Sequence, residues 1–412
     1  MKNYKTLNYI VLFGLAALLT FTGCKDFVQN IDPPTDSTED VNLNSEQEID
    51  FLMNGVKAKF ATTYSELTCL AGGLSDELIY DPNFPGATYP QYFEVEVGTI
   101  KLNNNSIENA IDNLGSLRLH ADTLLGRARK VSFKDQGLYN QAFATGFIYG
   151  ALARYLWASY FGLTENNGGG VINSGPFIPS SAMYNSALAY LDSAKNYAQG
   201  NENPLIYSLI AKIHLIEGRY TEAGDAAQNG MDATIKQSFM ALFSKQSVNF
   251  WYNNAGKGRL QFLLNKRYID YLAQDSKESK RISYGATQGA AFYIYQAKYF
   301  EDKSPIVVMS WQENSLMRAE VAWRNYLKTK DEADSTAAMT YINEVRVSHE
   351  LDELAVPLTL DEIFNERDKE LFCTGARLID QRRSGKWHLA NNAWHYLPIT
   401  QNERTRNPNL LK

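Results

Sequence analysis

The 412-residue chain holds only 3 cysteines and 5 histidines, and the histidines are badly placed for metal chemistry. His120, His214, His349, His388 and His395 form no His-Glu-x-x-His or other close ligand spacing. A long basic run is also missing, and the net charge is −6, so nucleic acid is excluded as an expected partner. No apolar run reaches the roughly 20 residues that a spanning helix needs. No Gly-x-Ser-x-Gly elbow occurs, and Gly168-Gly169-Gly170 lacks the Lys-Ser/Thr of a phosphate loop, which leaves it a flexible turn. Asp76 and Glu77 are adjacent carboxylates, but neighbours on a helix or strand point apart and suit paired acid–base work badly. The expectation is a binding protein rather than an enzyme, with no metal and no cofactor.

What is present starts at the amino terminus. Lys2 and Lys5 precede an apolar run, Ile10 to Leu19, and small residues then lead to Cys24. That is the layout of a secretory signal. Phe21-Thr22-Gly23-Cys24 resembles a bacterial lipobox, which implies a signal over 1–23 and lipidation of Cys24. Residues 24–44 carry Pro33, Pro34 and many Asp, Glu, Ser and Thr without helical or strand period. They read as a solvated tether. Several acyl chains, at about 0.8 kcal/mol per buried methylene, would hold the mature protein firmly to the outer membrane.

The chain's 44% hydrophobic content supports a large core, and from residue 45 on helical periodicity runs almost throughout. Ser45-x-x-Glu48 has the form of a capping box, followed by Ile49, Leu52, Met53, Val56 and Phe60 at helical spacing. Ile107, Ala110, Ile111, Leu114 and Leu117 mark a second helix, and residues 138–161 a long aromatic third. Pro179 and Ser180-Ser181 open a fourth. Residues 204–233 read as helix, tight turn and helix. Ala211, Gly218, Tyr220, Ala223 and Ala227 stand at spacings that resemble a tetratricopeptide repeat. One such unit cannot bury its apolar face alone, so several should stack. Helices over 313–329 and 334–347 make another pair. An all-α scaffold of about four helix pairs over 45–412 is expected.

Two stretches break that pattern. Residues 80–100 and 239–305 are rich in aromatics, Asn, Gly and Gln, and long irregular insertions of this kind are usually functional. Their aromatic density argues against disorder. Cys69 and Cys373 have a spacing compatible with pairing and equally with two separate buried thiols.

Ordered fragments then carry a family resemblance. They are Leu74-Ser75-Asp76-Glu77, Arg318-Ala319-Glu320, Asn343-Glu344-Val345-Arg346, Glu366-Arg367 with Glu370-Leu371-Phe372, Gly375-x-Arg377, Asp380-x-x-Arg383 and a terminal Asn407-Pro408-Asn409-Leu410. Together with the lipobox they resemble the SusD/RagB family of nutrient-binding outer-membrane lipoproteins over nearly the whole mature chain. Cys373-Thr374 departs from the acidic or leucine-glutamate pair usual before the glycine. The chain is also short for the family, which implies trimmed ligand-facing insertions. The resemblance implies a surface protein that captures an oligosaccharide or a peptide and delivers it to a SusC-like TonB-dependent transporter.

Sugars present an apolar C–H face and a polar rim, which Trp and Tyr platforms suit. Trp251 and Tyr252 are the first candidates, followed by Tyr89, Tyr92, Tyr284 and Trp311. Arg318-Ala319-Glu320, Glu366-Arg367-Asp368 and Asp380 with Arg382-Arg383 read as structural clamps, since helical spacing favours ion pairs between turns. A tetratricopeptide adaptor in envelope assembly is the contrasting reading. It predicts regular repeats without the aromatic insertion at 239–305.

Overall fold

The computed structural model describes residues 45–245, 247–287 and 292–411. The expected signal, Cys24 and the tether lie outside the described residues. No described helix is long and apolar enough to cross a membrane. Helix α1 (Ile49–Leu74) is followed by α2 (Pro90–Glu96), α3 (Asn105–Ala128), α4 (Gln136–Tyr160), α5 (Ser180–Ala194), α6 (Glu202–Ile216) and α7 (Tyr220–Gln228). After short α8 (Phe250–Ala255) and α9 (Arg267–Gln274) come α10 (Trp311–Thr329), α11 (Glu332–Ser348), α12 (Leu360–Glu370), α13 (Ala376–Ser384) and α14 (Gln401–Arg406).

Four antiparallel pairs form the frame: α1 with α3, α4 with α5, α6 with α7, and α10 with α11. They stack in chain order, α3 on α4, α5 on α6 and α7 on α10. Small residues permit the close approach in the third pair, where Ala211, Ala223 and Ala227 are buried. Gly218 turns the chain between α6 and α7 at φ +73°, a left-handed backbone that favours glycine. Tyr220 lies half-buried under the Arg324 guanidinium, 4.4 Å from the ring centroid, and so joins the third pair to the fourth.

Helix starts follow local chemistry. Asn104, Asp135, Ser310, Asp331 and Thr359 each accept a backbone N–H in the first turn of the helix they precede. The capping box expected at Ser45-x-x-Glu48 does not form. Residues Glu46–Glu48 make a 3-10 turn, Ser45 provides no side-chain cap, and α1 starts at Ile49. The Glu46 carboxylate instead accepts the backbone N–H groups of Lys134 and Asp135 just before α4.

Short strands fasten the two insertions. Phe239–Ala241 pairs antiparallel with Ile306–Met309, so the second insertion leaves and re-enters the stack at one place. Leu78–Ile79 pairs with Leu263–Leu264 and ties the first insertion to the second. Tyr284–Ala286 and Ile294–Gln296 form a hairpin within the second. Near the carboxy terminus, Leu397–Pro398 runs parallel to Phe161–Thr164, between α4 and α5.

The charged motifs are clamps, but between distant elements more than along one helix. Glu366 is fully buried and receives Arg281, Arg346 and Lys369 at 2.9, 2.8 and 2.6 Å. Asp380 lies between Arg367 and Arg383, each at 2.8 Å. Arg383 continues to Glu320 of α10 at 2.6 Å. Asp76, just past α1, receives Arg377 at 2.6 Å and Arg267 at 2.9 Å. Burial alone would raise the Glu366 and Asp380 carboxyls, but the surrounding cations outweigh it and hold each at about 2.

Glu77 behaves oppositely. Its buried carboxylate accepts the Cys373 N–H at 2.6 Å, yet burial pushes the group up to about 7. Cys69 and Cys373 are both free and buried, which closes the pairing question for this structure.

These shifts set the pH response. Glu366 and Asp380, depressed in the folded chain, contribute stability that is present above the ordinary carboxylate range and lost as pH falls towards about 2. Glu77, raised from 4.5 to about 7, holds its proton more tightly when folded, so its contribution to stability falls as pH rises between those values. Glu77→Gln should therefore lose less stability than the unaltered chain between about pH 5 and about pH 8 in urea unfolding. Equal losses would contradict this assignment.

Candidate functional site

An open cleft of about 380 Å³ lies where the first insertion, the start of α3 and helix α8 meet. Helix α8 has two faces. Trp251 and Ala255, one turn apart, are fully buried, whereas Phe250, Asn253 and Asn254 share the face that lines the cleft. The Trp251 indole N–H donates to Thr68 Oγ1 on α1 at 2.9 Å. Gly72 of α1 leaves room for that ring, since a Cβ there would come within 2.8 Å of it. Asn249 caps α8 through the N–H of Trp251 and also donates to the Ser304 carbonyl.

The opposite wall belongs to the first insertion. Gln261 is buried; its side-chain oxygen accepts the N–H groups of Thr88 and Tyr89, and its amide donates to the Gly86 carbonyl. Tyr89 is thereby held at the cleft with its ring half-buried. The Arg259 guanidinium lies 4.6 Å from the Tyr89 ring centroid and donates to its hydroxyl. Tyr92 is deeper: it stacks on Phe262 at 4.5 Å and donates to Asn254 Oδ1 at 3.3 Å.

Asn105 and Asn109 are exposed at i and i+4 on α3 and complete the rim with Ser106. Below them the buried Glu66 carboxylate accepts Nδ2–H bonds from Asn109 and Asn113 at 2.5 and 2.6 Å. Burial raises its pKa. The cleft thus offers two partly exposed aromatic faces, Tyr89 and Phe250, ringed by amides and one guanidinium. Glu66 is the single carboxylate among the described residues that line it.

The sequence-expected aromatics separate. Tyr89 and Tyr92 come together in the cleft. Trp251 does not fit a ligand platform, because its ring is 0% exposed and serves as the core anchor of α8. Tyr252 is half-buried at the core edge and does not line the cleft. Tyr284 stands 40% exposed on the hairpin of the second insertion. Trp311 is buried at the start of α10 and borders a separate open groove beside α11 with Met339 and Asn343. Sequence reasoning missed Phe250, Asn253, Asn254 and Arg259. Phe250 and the two asparagines fall on the cleft-lining face of α8 and Trp251 on its core face, a pattern that six residues are too few to display in sequence.

No family model matches the chain, and no curated protein matches it. Solved structures do. A SusD-like carbohydrate binding protein from Bacteroides vulgatus matches with a TM-score of 0.69 at 12% identity, over 89% of this chain and 97% of that one. A SusD superfamily protein from Bacteroides thetaiotaomicron gives 0.68 at 17% identity, over 89% and 99%. A laminarin binding SusD-like protein gives 0.66 at 14% identity, over 89% and 98%.

The buried face of α8 and the cleft wall across from it predict different phenotypes. Trp251→Ala should cost about 3–5 kcal/mol in urea unfolding, as large-to-small changes of buried aromatics do. Tyr89→Ala should cost no more than about 1–2 kcal/mol. A Trp251→Ala chain as stable as the unaltered one would overturn the anchor. On its helical stack, its strand-fastened insertions and these neighbours, the chain has the SusD-like fold.

Proposed function

We propose that this protein is a surface lipoprotein, anchored through Cys24, that captures an oligosaccharide in the Tyr89 cleft and delivers it to a SusC-like TonB-dependent transporter of the outer membrane. The observation that carries the reading is the cleft itself. A half-buried tyrosine face, held by Gln261 and Arg259, stands opposite Phe250 among asparagine side chains. Such an arrangement suits a ligand with an apolar face and a hydroxyl rim. Two of the structural neighbours are described as carbohydrate binding and laminarin binding, which supports the same ligand class.

Binding without bond cleavage suits the site. Glycoside hydrolysis ordinarily needs two carboxyl groups across the scissile bond, and Glu66 is committed to two asparagine amides. The lipobox-like start and the solvated tether support anchoring at a membrane surface. The aromatic insertion at 239–305 supports nutrient binding over the adaptor reading.

The test is titration calorimetry against a glycan panel, with a peptide panel in parallel. For a glycan that binds the unaltered chain, Tyr89→Ala and Arg259→Ala should each weaken binding about tenfold or more, equivalent to about 1.4 kcal/mol. Binding of peptides alone, or of a glycan indifferent to both substitutions, would refute the assignment. Detergent co-purification should recover a TonB-dependent barrel; recovery of an assembly complex in its place would refute delivery.

A further inference from the structure

Between the helical stack and the carboxy-terminal segment lies a second, more enclosed chamber of about 190 Å³. It shares no lining residue with the Tyr89 cleft. That volume accommodates more than one water molecule. Its walls are charged, and most charges are matched locally. Lys212 of α6 lies 2.9 Å from Glu313 of α10. Glu370 lies 3.8 Å from Arg281, with the His349 imidazole beside it. Arg281 is held by Glu278 and Glu366 at 2.6 and 2.9 Å.

Lys298 is the exception. Its ammonium donates to the Phe372 carbonyl at 2.7 Å, and no described carboxylate forms an ion pair with it. An ammonium carries three N–H donors, so one carbonyl satisfies only a part of it. Burial depresses its pKa even though Cys373, Glu370 and Glu77 act in the other direction. A partly buried cation with no carboxylate at ion-pair distance is poorly compensated, and a charge-assisted hydrogen bond to an anion offsets that cost. Ser238 and Ser310 add neutral hydroxyls to the wall.

We propose that this chamber binds one small oxyanion, of the carboxylate or phosphate class, with Lys298 as its principal donor and Lys212 and Arg281 as flanking cations. Glu313 and Glu370 also face the space, 2.9 Å from Lys212 and 3.8 Å from Arg281 respectively, and they restrict the site to a small ligand. The inference is independent of the oligosaccharide reading, since no residue is common to the two sites.

Equilibrium dialysis of the purified full chain against labelled inorganic phosphate, at fixed ionic strength in chloride, tests it. The unaltered chain should bind about one phosphate saturably. Lys298→Met should weaken binding about tenfold or more, and Lys298→Arg should retain it. Absence of saturable binding, or equal binding by Lys298→Met, would overturn the site. A second measurement needs no variant. Phosphate or acetate should protect Lys298 from acylation, mapped by peptide mass spectrometry, while exposed Lys257 is labelled as before. Equal labelling of Lys298 with and without the anion would also overturn it.

Discussion

The belt of buried ion pairs centred on Glu366, Asp368 and Asp380 is the constraint on which the rest of the molecule depends. Through it the carboxy-terminal helices hold the end of the first helical pair at Asp76, the second insertion at Arg267 and Arg281, and the fourth pair at Glu320 and Arg346. A stack of helix pairs is otherwise joined only between neighbours. Here distant parts of the stack are locked to one segment. Buried pairs of this kind add little net stability against apolar packing, yet loss of one partner leaves a charge stranded. Their physical consequence is geometry: they fix where the two insertions leave the frame.

That geometry creates the cleft. The insertions are too irregular to hold a binding surface unaided, so they are pinned at several points. Strand pairing at Leu78–Ile79 with Leu263–Leu264, the Gln261 bonds to residues 86–89 and the Trp251 anchor on α1 together set Tyr89 opposite α8. For the proposed ligand, Tyr89 and Phe250 would need little further ordering, and such preorganisation reduces the entropic cost of association.

Much of the fold was legible in the sequence. Periodic apolar residues located α1, α3 and α4, and Ala211, Gly218 and Ala223 located the third pair, because long amphipathic helices and tight turns write their pattern locally. The clamps were recognisable as clamps, but not their partners: Arg383 meets Glu320 across 63 positions, and helical spacing cannot report such a pairing. The capping box at Ser45 failed because Glu46 is drawn to the backbone before α4. The cleft was half legible. Tyr89 and Tyr92, named from the sequence, both line the cleft, while Trp251 is buried in the core, because a six-residue helix in a loop-rich segment offers little period to read. Arg259 stands out only once residues 80–100 and 250–261 are brought together in space.

Capture of an oligosaccharide between Tyr89 and Phe250 is the proposed step from which delivery follows. The most direct measurement is a crystal structure of the chain with a glycan that it binds in solution. Sugar density stacked on the Tyr89 ring, with hydroxyls on Arg259 and the Asn253 or Asn109 amides, is the predicted result. The same glycan seated beside Trp311 in the α11 groove, with the Tyr89 cleft open to solvent, would contradict the account.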